Sequence, residues 1–174
     1  MALGFIAARK QGIHYDLAKF AVNKLKKVNL LVKGKTERHF ENTVVSYMQA
    51  SSKLRKNLIT QIGLEQVEKV AQASLFGFNH RPDIAIGIDG TAIEIKVLKS
   101  SHSVRDVLGQ ALTYRMHYRF VILVLVDQTS DRQIVKLSKD KKSSEHALLG
   151  GLSESLNIFT VVGPLGQSKN VVFL

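Results

Sequence analysis

The sequence predicts a single mixed α/β domain, and three observations support that fold class. Two stretches, residues 84–88 and 93–97, alternate isoleucine or valine with other residues, which is the period of a half-buried strand. A continuous apolar run over residues 120–126 is typical of a strand that is buried on both faces. Apolar residues at helical spacing lie before, between and after these strands, as in domains that pack helices on a sheet.

The first third of the chain is predicted to be helical. Residues 15–27 place apolar side chains at helical spacing among lysines, which predicts a basic amphipathic helix. Gly34 interrupts this pattern, and Thr36 is a candidate cap for a second helix that reaches about Ala50. A third helix is expected over residues 64–73, with a short strand on either side of it.

The middle of the chain is predicted to form a β-hairpin. Asp89-Gly90 is a strong signal for a two-residue turn between the two alternating stretches. This register places the isoleucines on one face and Asp83, Glu94 and Lys96 on the other, among alanine and glycine. Asp83 would then lie opposite Lys96 and diagonal to Glu94, with roughly 7–8 Å between the two backbones.

The remaining elements complete the predicted sheet. A helix is expected over residues 104–116, followed by the strand at 120–126 and by a helix over 143–156. Two short strands are expected near 158–162 and 171–174. The single domain would thus consist of a basic helical extension, a core and a carboxyl-terminal helix with strands: residues 1–35, 36–127 and 128–174.

Length and composition exclude several classes of protein. The chain has 174 residues, enough to bury a sizeable core, and it contains no cysteine. This excludes a disulfide framework, an iron–sulfur cluster, a cysteine nucleophile and a thiolate zinc site. The longest apolar run is far shorter than the ~20 residues that span a bilayer, and the first charges follow the apolar start instead of preceding it. We therefore expect a cytoplasmic protein that is not secreted and has no membrane partner.

The charge of the chain indicates a polyanionic partner. Lys and Arg number 25 against 14 Asp and Glu, a net charge of +11, and residues 1–40 hold nine basic and two acidic residues. A field of this sign attracts nucleic acid, although it also favours solubility. The candidate phosphate contacts are Lys24, Lys27, Lys33, Lys35, Lys99, Arg105, Arg115 and Arg119.

The polar face of the hairpin is a candidate metal site. Asp83 and Glu94 supply hard oxygen donors that suit Mg²⁺ or Mn²⁺, with water and phosphate as the other ligands. Lys96 beside such an ion can hold a phosphate or position an attacking water. The simpler interpretation is a solvated strand face, on which Asp83 and Lys96 form a surface ion pair worth under ~1 kcal/mol.

Pro82-Asp83, ten intervening residues and Glu94-Ile95-Lys96 resemble the motif of the PD-(D/E)XK nuclease superfamily. The resemblance implies a restriction-endonuclease-like core of a helix, three antiparallel strands, a helix and a fourth strand, over about residues 36–127. It also implies a Mg²⁺-dependent deoxyribonuclease, with Mn²⁺ able to substitute, that acts in DNA recombination, repair or replication. The implied metal ligands are Asp83, Glu94, Ile95 and Glu41.

Two accessory motifs refine the resemblance. Glu41, followed by apolar residues at i+3, i+4 and i+7, is similar to the opening helix of archaeal Holliday-junction resolvases. Glu37, in a Glu-Arg pair, is the rival position, and its apolar spacing fits less well. Gln110 and Tyr114 resemble the Gln-x-x-x-Tyr signature of the RecB-like branch, and their i,i+4 spacing puts them on one helix face.

The resemblance assigns catalytic roles and leaves a second class of function open. The implied catalytic residues are Glu41, Asp83, Glu94, Lys96, Gln110 and Tyr114. A two-fold homodimer would suit the cutting of two strands or of a symmetric junction. The alternative is a non-catalytic nucleic-acid-binding or assembly protein on a nuclease scaffold.

Overall fold

The structure, a computed structural model, describes residues 5–31, 34–60, 73–75, 77–165 and 169–174. The helices within them are α1 (Gly12–Leu25), α2 (Glu37–Gln49), α3 (Ser52–Arg55), α4 (Ser101–Arg115), α5 (Gln133–Lys139) and α6 (Ser144–Leu156). The strands are β1 (Leu58–Thr60), β2 (Ala73–Leu75), β3 (Phe78–His80), β4 (Ile84–Ile86), β5 (Thr91–Leu98), β6 (Phe120–Asp127), β7 (Ile158–Gly163) and β8 (Val171–Phe173).

The predicted mixed α/β class is confirmed by a six-stranded mixed sheet. Its strand order is β1-β4-β5-β6-β7-β8, while β2 and β3 pair separately. The pairs β1–β4 and β4–β5 are antiparallel, β5–β6 and β6–β7 are parallel, and β8 returns antiparallel to β7. Helix α4 makes the crossover between the parallel strands β5 and β6, because parallel neighbours cannot be joined by a tight turn.

Two apolar cores cover the two faces of this sheet. The first packs α1, α2 and the α3 residue Leu54 against the isoleucine face of β4 and β5. The second packs α4, α5 and α6 against the opposite face, which includes Ala85 and Ala92. Every residue of β6 is buried, as expected of a central strand with helices on both sides.

The β4–β5 hairpin has a longer turn and a different register from those predicted. Four residues, Gly87 to Gly90, connect the strands, and Ile84 pairs with Ile93 instead of Ile95. Gly87 adopts a φ of +72°, and a Cβ at Gly90 would lie 2.4 Å from a backbone carbonyl oxygen, so both positions favour glycine. The shift is two residues, which preserves the predicted faces because side chains alternate with a period of two.

Other differences lie outside the hairpin. The predicted helix over residues 64–73 falls almost wholly on residues 61–72, which lie outside the described residues. Helix α5, of seven residues, was not predicted from the sequence. The carboxylate of Asp127 organises the start of this segment by accepting hydrogen bonds from the Thr129 side chain and from two backbone N–H groups. Across the described residues, we find no helix with the length and apolar character that crossing a membrane requires.

Arg115 has a structural role in this fold and is withdrawn from the candidate phosphate contacts. The residue is only 4% exposed, and its guanidinium donates hydrogen bonds to the backbone carbonyls of Ile6, Tyr118 and Leu156. Burial lowers the pKa of the guanidinium. The sequence is misleading at this position, because Arg115 lies close to His117 and Arg119 in what resembles a basic surface cluster.

Replacing Arg115 with methionine should lower the free energy of unfolding by about 3 kcal/mol or more. Three backbone carbonyls would lose their donor, and each buried unsatisfied group costs about 1–3 kcal/mol. Urea unfolding measures the change. The control Arg55→Met alters an exposed arginine of α3 and should stay within about 0.5 kcal/mol of wild type. Equal small effects of the two substitutions would contradict the structural role.

Candidate active site

The candidate site lies beside the start of β4 at Ile84, beyond which one edge of β5 has no strand partner. The pairing of the two strands ends at Ile93. The next backbone N–H groups on that edge, those of Ile95 and Val97, are bonded by carboxylates instead. Asp83 Oδ2 accepts the Ile95 N–H at 2.8 Å, and Glu37 Oε2 accepts the Val97 N–H at 3.1 Å. The strand edge therefore fixes two acidic side chains, one from the segment before β4 and one from α2.

Asp83 and Glu94 face each other across this opening. The observed register, continued by one residue, puts them directly opposite, a position at which Cβ atoms are about 4.5–5.5 Å apart. Glu94 is 5% exposed, and burial, followed by the charge of Asp83, raises the pKa of Glu94 to about 8. Burial also raises the pKa of Asp83 to about 7, against the effect of the Ile95 N–H bond and with added repulsion from Glu41 and Glu37. The pair therefore retains a proton near neutral pH.

Lys96 lies on the same strand face as Glu94 and is held by α2. Its Nζ is 3.0 Å from Glu37 Oε1. Partial burial would lower the pKa of Lys96, but the hydrogen bond and charge of Glu37 and the charges of Glu94 and Asp83 raise it overall. The ammonium is therefore protonated at neutral pH and bound to a carboxylate.

Both candidate glutamates of α2 belong to the site, and Glu37 makes the direct contact. Glu41 is one helical turn later; partial burial raises its pKa, as does the charge of Glu37. The charge of Glu41 in turn contributes to raising the pKa of Asp83. The sequence favoured Glu41 because of its apolar spacing, but Glu37 lies in the first turn of α2, which meets the open edge of β5 beside Lys96.

Tyr114 reaches the site from α4. Tyr114 is 1% exposed, and its hydroxyl lies 3.1 Å from both Glu94 Oε2 and the backbone carbonyl oxygen of Arg81. Burial and the charge of Glu94 raise the pKa of Tyr114 well above its ordinary value, so the phenol stays protonated. Gln110 lies one turn away on the same helix face, and its Oε1 is buried with no hydrogen-bond partner among the described residues. The contact of Tyr114 with the Arg81 carbonyl was not predicted, because any residue type can supply a backbone acceptor.

The oxygen donors of the site fit a hard divalent cation. In the part of the chain that the structure describes, no group of three or more His, Asp or Glu side chains is arranged to hold a metal ion. Mg²⁺, however, is commonly bound through one or two carboxylates plus water and substrate phosphates. Asp83 and Glu94 supply such a pair. The side chain of Ile95 is fully buried in the apolar core, so only its backbone carbonyl is available as a ligand.

The predicted phosphate contacts differ in their surroundings. Those with exposed side chains are Lys27, Lys35, Lys99 and Arg105. Lys24 is half-buried, with its Nζ 5.1 Å from the ring centroid of Tyr47. Arg119 forms a 3.0 Å ion pair with Asp89 beside the hairpin turn. Lys33 lies outside the described residues.

The metal-free protein should lose stability as the pH rises from about 5 to about 8. Asp83 and Glu94 hold their protons to a higher pH in the folded chain than in the unfolded chain, so folding takes up protons between these values. The stabilising contribution is full below about pH 4 and is lost as the pH passes about 7 to 8. The double variant Asp83→Asn, Glu94→Gln keeps the hydrogen-bond acceptors. Its free energy of unfolding should exceed that of wild type by a few kcal/mol at the upper end of this range.

Urea unfolding in EDTA measures this difference at each pH. The control Asp106→Asn removes an exposed carboxylate from α4 and should follow wild type throughout. A constant difference between wild type and the double variant across the range would contradict the assignment of the raised pKa values.

Comparison with protein-family models, curated proteins and solved structures finds no match for this chain. What the site can do follows from its own geometry. Two opposed carboxylates, the buried one of Glu94 and the partly buried one of Asp83, meet an ammonium held by Glu37 and a tyrosine hydroxyl bonded to Glu94 at the open edge of one strand. This is an arrangement of fixed acids and one fixed cation in a chain of strongly positive net charge.

Proposed function

We propose that the protein is a metal-dependent DNA nuclease built on a restriction-endonuclease-like core. The order of elements supports this fold: α2, the antiparallel strands β1, β4 and β5, the crossover helix α4, and then β6. The motif residues Asp83, Glu94 and Lys96 are gathered at one end of that core, together with Glu37 and Tyr114. DNA is the proposed substrate because the chain carries a net charge of +11.

The facing pair Asp83 and Glu94 is the observation that carries the proposal. Four carboxylates and one ammonium surround the site, so a phosphodiester would be repelled unless positive charge were added. Burial raises both pKa values, with added repulsion from Asp83 on Glu94 and from Glu41 and Glu37 on Asp83, so the fully ionised pair is unfavourable. A divalent cation would reduce both the repulsion of the phosphodiester and the cost of ionising the pair.

Asp83 and Glu94 would hold Mg²⁺ or Mn²⁺, with the backbone carbonyl of Ile95 and with Glu41 directly or through water. When bound, the ion supplies polarisation of the phosphoryl oxygen and a lower pKa for an attacking water. Tyr114 donates its hydroxyl proton toward Glu94, which keeps that carboxylate in one orientation. These residues thus present two negative oxygens in fixed positions without further rearrangement.

Lys96 carries the positive charge that the chain itself brings to the reaction. Its ammonium would donate a hydrogen bond to a non-bridging phosphate oxygen, or to the attacking water, as charge develops on the phosphoryl group. Glu37 keeps Lys96 in place at 3.0 Å and keeps it protonated. The free Oε1 of Gln110 would accept a hydrogen bond from a water on the α4 side.

Purified protein should cleave DNA with Mg²⁺ or Mn²⁺ and should not cleave it with EDTA. Asp83→Asn and Lys96→Met should each lower the cleavage rate by at least about 100-fold, because each removes a group that acts on the reacting phosphate. The assay uses labelled linear duplex, single-stranded DNA and a four-way junction. Preference for the junction would support resolvase-like action by a two-fold dimer, and preference for DNA ends would support RecB-like action.

The control for this assay is Glu154→Gln, which removes an exposed carboxylate of α6, a helix that packs against β7. It should cut at the wild-type rate. Full metal-dependent cleavage by Asp83→Asn or Lys96→Met would contradict the proposed site. Tight, salt-sensitive binding by wild type without any cleavage would instead favour the non-catalytic binding protein.

A further inference from the structure

A cavity of about 880 Å³ lies on the face of the sheet that carries α4, α5 and α6. The sheet contributes Leu98 and Leu125 to its lining, close to the carboxyl ends of the neighbouring parallel strands β5 and β6. Helix α4 forms one wall, and α5 with the first part of α6 forms the other. Clefts of about 300–1,000 Å³ are typical of sites for small molecules, so this cavity has the size of such a site.

The walls of the cavity are predominantly apolar and in contact with solvent. The apolar side chains of the three helices that line it without being fully buried are Val104, Leu108, Ile134, Leu137 and Leu148. Leu148 is 49% exposed. An apolar ligand that covers these side chains removes apolar surface from water, and each methylene group that it buries should tighten binding about fourfold.

Charged side chains lie at the mouth of the cavity and are separated by sign. On the α4 side are Lys99 and Arg105, and on the side of α5 and α6 are Asp131 and Glu145; all four are exposed. Among the described residues, no ion pair joins Lys99 to Asp131 or Glu145 across the mouth. A ligand head group that carries both an anion and a cation therefore complements the two sides.

Helix α4 separates this cavity from the candidate active site. One flank of the helix carries Tyr114, whose hydroxyl is bonded to Glu94, whereas Val104 and Leu108 on another flank line the cavity. Lys96 and the carboxylates of the candidate site do not line it. A ligand in the cavity is thus distinct from a substrate of that site.

We propose that this cavity binds a zwitterionic amphiphile, with its apolar chain inside and its head group at the mouth. The anionic part of the head group accepts hydrogen bonds from Lys99 and Arg105, and the cationic part faces Asp131 and Glu145. The apolar surface lies between the helices, so a free molecule reaches it and the flat surface of a bilayer does not. The proposal goes beyond the proposed function and does not depend on it.

Calorimetric titration of the full chain with alkyl amphiphiles, at concentrations too low for micelles, tests the proposal. Decylphosphocholine is the zwitterionic probe, and decyl glucoside is the uncharged probe with the same chain. Shortening the chain of the zwitterion from ten to eight carbons should weaken binding about 15-fold, because two methylene groups leave the apolar lining. Lys99→Gln and Asp131→Asn should each weaken binding of the zwitterion by up to about fivefold and leave binding of the glucoside unchanged.

Two exposed leucines on helices of the same sheet face provide a matched pair of variants. Leu148 lines the cavity and Leu112 does not. Leu148→Gln should weaken binding of both probes about five- to tenfold, because it replaces apolar contact by a polar amide. Leu112→Gln should stay within about twofold of wild type.

Each outcome of these titrations supports or overturns the proposal. Equal effects of Leu148→Gln and Leu112→Gln, or no binding of either probe to wild type, would overturn the cavity as a ligand site. Weaker binding by Lys99→Gln with tighter binding by Asp131→Asn would indicate an anionic head group and overturn the zwitterionic one. Co-sedimentation with phosphatidylcholine vesicles that Leu148→Gln abolishes would overturn the free molecule in favour of a bilayer. Binding of the zwitterion as predicted, in a protein that does not cut DNA, would retain the cavity and overturn the nuclease.

Discussion

The short β4, which begins only at Ile84, is the constraint on which the site depends. A buried backbone N–H must find an acceptor, and beyond Ile93 the edge of β5 has no strand to provide one. Asp83 and Glu37 supply the acceptors, so the same hydrogen bonds that complete the sheet also fix two carboxylates beside Lys96. The site is therefore positioned by backbone bonding and not by flexible surface loops.

This arrangement is costly for the fold and favourable for function. Burial is the main reason that the pKa values of Asp83 and Glu94 are raised, and neighbouring carboxylates raise them further. Tyr114 and Glu37 add hydrogen bonds that hold the unfavourable geometry in place. Groups whose pKa values are shifted by burial and by like charges concentrate at functional sites, which supports an interpretation in terms of chemistry.

Much of the fold could be predicted from the sequence, because strand alternation and helical spacing identify the faces of an element even where its bounds are misjudged. The turn was predicted two residues too short, since the positive φ of Gly87 cannot be inferred from its identity; the faces of the hairpin were still correct. Asp83, Glu94 and Lys96 therefore share one face as predicted, but Asp83 lies opposite Glu94 instead of Lys96, and Lys96 pairs with Glu37. The remaining features depend on tertiary contacts. The guanidinium of Arg115 is held by three backbone carbonyls, which no residue type marks in the sequence. The direct role of Glu37 depends on where α2 meets β5.

The central claim is that Asp83 and Glu94 together hold a divalent cation, and proton release on Mg²⁺ binding tests it most directly. Calorimetric titration of the metal-free protein near pH 7, in buffers of different ionisation enthalpy, counts the protons released. Binding to wild type should release protons, because the pKa values of about 7 and 8 leave the pair partly protonated, and Asp83→Asn, Glu94→Gln should abolish the release. Absence of Mg²⁺ binding, or binding with no proton release, would contradict the account.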